Sequence, residues 1–131
     1  MIHIYGNVIP IFANRLVNNL PLQIFGDGEQ TRDFINVKDV AMANYLAAVK
    51  SEKSEVYNIG SGMSITINKL ASLMQDICSL NTNIEYLPAR IGEVKHCKAN
   101  IVKITEELGF RTCILIENGL KEYLNWFRND R

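Results

Sequence analysis

Apolar and polar positions along the chain alternate between two periods, one near 3.6 residues and one of two. In NVIPIFANRLVNNL, residues 7–20, the apolar groups Ile11, Phe12, Leu16, Val17 and Leu20 fall at helical spacing. Pro10 is tolerated in the first turn of such a helix, and Asn18, Asn19 and Pro21 end it. LQIF then reads as a short strand, GDGEQT as a tight turn and RDFINV as a second strand, together a hairpin or a pair of short strands. Asp39 sits where an N-cap belongs, before the alanine-rich run VAMANYLAAVK. Small side chains let a helix lie close to its neighbour, so this one is expected to pack on a sheet.

The second half repeats the alternation. SEKSE is a polar loop, and EVYNIG is a strand with Val56, Tyr57 and Ile59 as its apolar members. Gly60-Ser61-Gly62 breaks it. Ser64 or Thr66 caps a helix running from about Ile67 to Leu80, with the stripe Ile67, Leu70, Ala71, Met74, Ile77 and Cys78. NIEYLP is a further strand and ARIGEVKHCKA a loop with a basic bias. NIVKITEELGF is a short helix that Gly109 terminates. ILIENGLKEYLNWFRNDR carries Leu120, Tyr123, Leu124 and Phe127 on one stripe. Alternating strands and helices predict an α/β architecture, or α+β for the isolated chain, with few short strands and about five helices. The predicted strands are too few and short to cover both the apolar VYNI segment and the alanine-rich helix.

Composition narrows the classes. Lys plus Arg and Asp plus Glu each total 14, so no bulk field draws nucleic acid or anionic lipid, and any bound anion must be held by local groups. With 47% apolar and 21% charged residues, the chain reads as one globular domain rather than a disordered one. Cys78, Cys97 and Cys113 form no C-x-x-C pair, which suggests neither a metal site nor a redox motif, and reduced thiols fit a cytoplasmic protein. MIHIYGNVIPIF has neither the basic start of a signal peptide nor the length of a membrane span.

Three residues stand out as candidate chemistry. Arg32 follows the Gly-rich turn; it is either a solvated partner of Asp33 or Glu29, or an anion clamp whose fixed donors suit phosphate. Arg90 follows NIEYLP and precedes Gly92, and it reads as a loop arginine or a second clamp. Phe25 is either a core aromatic or a stacking face for a nucleobase. NIGSG lacks both G-x-G-x-x-G and G-x-x-x-x-G-K-[ST], and a plain strand-to-helix turn suits it better than a phosphate loop. His3, His96 and the glutamates of the last two helices form no triad and offer no general base.

Taken in order, VIPIF, IFGDGEQTRDFINVKDVAMA, VYNIGSGMSITINKLA, IEYLPARIGEV, KITEELGF and ENGLKEYLNWF resemble the C-terminal portion of the NAD-dependent epimerase/dehydratase family, the extended short-chain dehydrogenase/reductases acting on nucleotide sugars. The likeness runs from about Tyr5 to Arg128 and is specific to the family, not to a substrate. It implies a Rossmann-like parent fold in which 1–131 is a single substrate-binding domain, with residues 35–62 resembling the last elements of the cofactor-binding domain. It also implies that Arg32 and Arg90 contact the substrate diphosphate and that Phe25 lies by the base, with the backbone of Ile24 at the base edge. Val8, Ile9 and Phe12 would flank the nucleotide, and Asp39 would be a structural cap. The parent chemistry is hydride transfer to NAD, change at a keto-sugar and hydride return.

The chain departs from the pattern at Glu93 and Asn100, where aspartates are usual, and around Tyr5-Gly6, where a proline is missing. No Tyr-x-x-x-Lys pair is present: the fourth residue after Tyr5, Tyr45, Tyr57, Tyr86 and Tyr123 is Ile9, Val49, Ser61, Arg90 and Phe127. No cofactor fingerprint is present either. The expectation is therefore a nucleoside-diphosphate-sugar-binding portion, inactive and without NAD by itself. The alternative is a non-catalytic assembly module that self-associates or complements a separate N-terminal half. A homo-oligomer is expected.

Overall fold

The computed structural model describes residues 7–129. His3, Tyr5 and Gly6 lie outside them. The described chain forms five helices and four short strands, in the order α1 (Val8–Val17), β1 (Leu22–Phe25), β2 (Thr31–Arg32), α2 (Val37–Lys50), β3 (Ile65–Thr66), α3 (Ile67–Cys78), β4 (Ile84–Leu87), α4 (Val102–Leu108) and α5 (Ile116–Asn129). This is the mixed α/β class that the alternating periods predict. The chain divides into two compact units, one of residues up to 30, 66–95 and 120 onward, the other of 31–65 and 96–119.

In the first unit, α1 and α3 lie against β1, and β1 pairs with β4. The pairing is parallel, Leu22 opposite Ile84 through Phe25 opposite Leu87, and the Gly26 N–H extends it by donating to the Leu87 carbonyl at 2.9 Å. LQIF and RDFINV are therefore not a hairpin. Parallel strands need a long crossover, which the 58 residues between β1 and β4 supply, α3 among them. Phe12, Leu16, Leu22, Ile24, Leu70 and Met74 are fully buried at its centre. Thr66 caps α3, its hydroxyl oxygen accepting from the Lys69 N–H at 3.1 Å. The helix ends at Cys78, two residues short of the predicted Leu80, because Ser79 turns left-handed at φ 52°. α5 buries Leu120 and Leu124 here. α1 stops at Val17, and the side chain of Arg15 donates to the Pro21 carbonyl to fix the exit.

In the second unit, α2 packs on α4, and Ala43, Ile104, Leu108 and Phe110 form the core, with Tyr57 and Ile59 against it. Four expectations need correction. Asn36, not Asp39, caps α2, its side chain accepting from the Lys38 N–H at 2.9 Å, so the helix starts at Val37. Asp39 is buried and accepts instead from the backbone N–H groups of Cys113 and Ile114, each at 3.2 Å. The alanines of α2 admit a helix, not a sheet: Ala43 is fully buried where α4 approaches. EVYNIG is extended but joins no ladder, since a strand needs a hydrogen-bonded neighbour and none of residues 55–59 has one in the described chain. Of RDFINV only Arg32 lies in a strand, β2 (Thr31–Arg32), which pairs with β3, and Thr31 also bridges His96.

Candidate functional site

Two parallel strands end side by side at Phe25 and Leu87. Carboxyl ends of parallel strands are where α/β sheets place ligands, because the chain leaves the sheet there and its loops open a crevice. Just beyond the ends, the guanidinium of Arg90 lies 3.9 Å from the centroid of the Phe25 ring. A cation over a ring face is held by the ring quadrupole, worth about 0.5–1 kcal/mol at an exposed site. Phe25 is half-buried and Arg90 exposed, so the pair has a fixed base and an accessible outer side. Phe25 is thus not purely a core aromatic.

The turn after Phe25 is built to hold this arrangement. Gly26 and Gly28 take φ 78° and 76°, a left-handed conformation that favours glycine. The nearly buried Gln30 side chain reaches back and donates to the Phe25 carbonyl at 2.7 Å. The Glu29 N–H donates to the Asp27 carboxylate at 3.0 Å, an Asx-type turn. On the first turn of α3, the Asn68 carboxamide donates to the Asp27 carbonyl at 3.0 Å and to the Glu29 carboxylate at 2.7 Å, and accepts from the Tyr86 hydroxyl at 3.0 Å. A Cβ on Gly28 would come within 2.0 Å of the Asn68 side chain, so this close approach also demands glycine.

Of the other predicted residues in this unit, Phe12 and Ile24 are core side chains, each 1% exposed. Ile24 has only its backbone to offer a ligand. Val8 and Ile9 open α1 and are half-buried.

Arg32 belongs to the second unit. It is half-buried on β2, and its Nη1 donates to the Thr31 carbonyl at 2.8 Å. Asp33 follows directly after β2. Its Oδ1 accepts from the Ser61 N–H at 2.8 Å and the Ser61 hydroxyl at 2.5 Å, and its Oδ2 from the N–H groups of Gly62 at 3.1 Å and Ala99 at 3.0 Å. The N–H groups of the NIGSG turn therefore go to a protein carboxylate, as a structural turn requires. Asn100, one of the departures, makes a local turn ahead of α4: its side chain accepts from the Val102 N–H at 3.1 Å, while the N-cap position is Ile101 and carries no side-chain cap.

Asn68 and Asp33 were not among the sequence candidates. The signal for Asn68 is a polar residue directly after a cap and beside an apolar stripe. For Asp33 it is an acid directly after Arg32. Elsewhere in the second unit an open depression of about 430 Å³ is lined by Ala47, Ser51, Glu55 and Tyr57 among others, and it holds none of the predicted residues. Among the described residues no cluster of His, Cys, Asp and Glu could hold a metal ion, and no helix is long and apolar enough to cross a membrane.

Comparisons with known proteins bear on the family and the fold. The family model for the NAD dependent epimerase/dehydratase family matches residues 3–60. The structure of a UDP-N-acetylglucosamine 4-epimerase from Methanobrevibacter ruminantium, in complex with UDP-N-acetylmuramic acid, superposes with a TM-score of 0.93 at 36% identity, covering 99% of this chain and 42% of that one. A UDP-glucose 4-epimerase from Thermotoga maritima, solved with UDP-glucose, gives 0.90 at 38% identity, covering 96% of this chain and 41% of its own. A dTDP-glucose 4,6-dehydratase from Actinoplanes is 30% identical over 125 residues, which are 95% of this chain and 39% of the relative. The chain thus spans about two-fifths of the length of the relatives it matches. Sequence and fold agree over nearly the whole of it: the chain belongs to the NAD dependent epimerase/dehydratase family.

Proposed function

We propose that this chain is the nucleotide-sugar-gripping part of a nucleoside-diphosphate-sugar epimerase or dehydratase, corresponding to the C-terminal portion of its longer relatives, and that it does not turn over substrate alone. The observation that carries the reading is Arg90 stacked on Phe25 at the carboxyl ends of two parallel strands. The pair offers a guanidinium for phosphate oxygens and a flat surface for a base. Solved neighbours of the same fold contain UDP-sugars, which supports the ligand class. In this reading the backbone of Ile24 and the start of α1 at Val8 and Ile9 flank the nucleotide, and Arg32 is carried over from the family resemblance as a further phosphate contact. NAD would supply the hydride acceptor in a longer protein. This chain contains neither the glycine fingerprint nor the Tyr-x-x-x-Lys pair.

Calorimetric titration of UDP-glucose and dTDP-glucose tests the proposal. Binding in the wild type, weakened at least about tenfold in both Arg90→Ala and Arg32→Ala, is expected from the loss of a charge-assisted hydrogen bond. A double-mutant cycle asks whether both arginines grip one ligand. No binding at millimolar nucleotide sugar overturns the reading. Epimerase or dehydratase turnover by the pure chain with added NAD overturns its second half.

A second reading is favoured by one surface. Val37, Met42, Tyr45 and Val49 of α2 are each at least half exposed and follow one another around one side of the helix. An exposed apolar face of this kind marks an interaction site, and in this reading a second copy of the chain covers it.

A further inference from the structure

We propose that Asn68 is a positioning residue whose carboxamide holds the Gly26–Gln30 turn in the one shape that keeps Arg90 stacked on Phe25, and so sets how tightly a nucleoside diphosphate is gripped. The inference rests on the reading of that pair given above and names what tunes it. Asn68 is the point at which three segments meet. It receives the Tyr86 hydroxyl from β4, the strand that leads to Arg90, and it donates to both Asp27 and Glu29 within the turn that follows Phe25. Its own N–H donates to the Gly28 carbonyl at 3.1 Å. The turn is closed at its other end by Gln30 on the Phe25 carbonyl. Backbone and side chain of Asn68 therefore contact Asp27, Gly28 and Glu29 in succession, so the turn cannot swing without breaking several bonds together.

Remove the carboxamide and the Asp27 carbonyl, the Glu29 carboxylate and the Tyr86 hydroxyl lose their common partner. All three sit where water can replace it, so the fold survives while the turn gains alternative conformations. Phe25 and Gly26 are the first residues to feel this, because the turn begins at them. A ligand must then select the stacked arrangement from several, and its apparent affinity falls by the fraction lost.

Two readouts test the proposal. The first needs no nucleotide. Protons of the Arg90 side chain lying over an aromatic face resonate upfield, and this ring-current shift reports the stack directly. It is expected in the wild type, absent in Asn68→Leu and reduced in Tyr86→Phe. It is expected to persist in Thr66→Ala, which removes the α3 cap and lowers the melting midpoint by about 5 °C without touching the turn. The second is UDP-glucose affinity, expected to fall about tenfold in Asn68→Leu and to hold in Thr66→Ala. An unshifted Arg90 in the wild type, or a shift and affinity unchanged by Asn68→Leu, overturns the proposal. Equal losses in Thr66→Ala also overturn it, since general destabilisation would then explain them. Should Asn68→Leu not fold, Tyr86→Phe decides in the same way. A wild type that shows the shift but binds no nucleotide sugar overturns the nucleotide reading while the resonance still decides the bracing role.

Discussion

Tyr57 donates its hydroxyl to Glu107 at 2.8 Å, with the Lys103 ammonium 4.9 Å from the ring centroid. The hydrogen bond to Glu107 is the largest influence on Tyr57 and raises its pKa above the ordinary 10.0, against a smaller lowering effect from Ser51. A group that binds its proton more tightly when folded stabilises fully below its unfolded pKa, and loses that contribution as pH rises through the folded one. An ultraviolet titration, assigned by difference against Tyr57→Phe, is therefore expected to place the Tyr57 midpoint above the ordinary 10.0. Glu107→Gln should bring it down; an unmoved midpoint would contradict the assignment. Lys103 is raised in the same direction, first by its contact with Glu55 at 2.7 Å, so both contributions fade above about pH 10. At this scale the sequence showed which groups carry charge. It did not show their partners, because Tyr57 and Glu107 are 50 residues apart in the chain.

Elements depend on a few ties that periodicity does not reveal. Asp39 is an example. Its position suggested a cap, and its place in the first turn of α2 agrees with the helix dipole. Yet Asn36 does the capping, and the Asp39 carboxylate binds the backbone of Cys113 and Ile114 on the stretch leading into α5. Asp39→Ala would leave two part-buried N–H groups without their acceptor. A loss of about 2 kcal/mol in urea unfolding is expected, whereas Asn36→Ala should lose only about 1 kcal/mol as an ordinary cap. Equal losses would mean that Asp39 acts as a cap after all. The helices themselves were readable because stripes such as Ile67, Leu70, Ala71 and Met74 repeat at 3.6 residues and are all buried. The strands were readable only as extended segments. Whether β1 turns back on its neighbour or pairs with a distant β4 is not written in four residues of LQIF.

For the whole molecule, the apolar face of α2 and the extended VYNI segment make self-association the expected behaviour. Light scattering at micromolar concentration should give a dimer or larger species, and Tyr45→Glu with Val49→Lys should return it to a monomer. A wild-type monomer would count against the second reading and leave the nucleotide reading untouched. The family and the succession of helices were legible from the chain alone. Each rests on local pattern: GDGEQTRDF and VYNIGSG are contiguous strings, and helical stripes recur within two turns. The parallel partnership of β1 with β4, the stacking of Arg90 on Phe25, the bracing by Asn68 and the burial of Asp39 were not. Apart from the contact of Asn68 with Tyr86, 18 positions away, each joins residues between about 40 and 75 positions apart. Closing such loops costs entropy that no local pattern records, and only the packed core, by fixing the ends of the loops, selects which distant pairs meet.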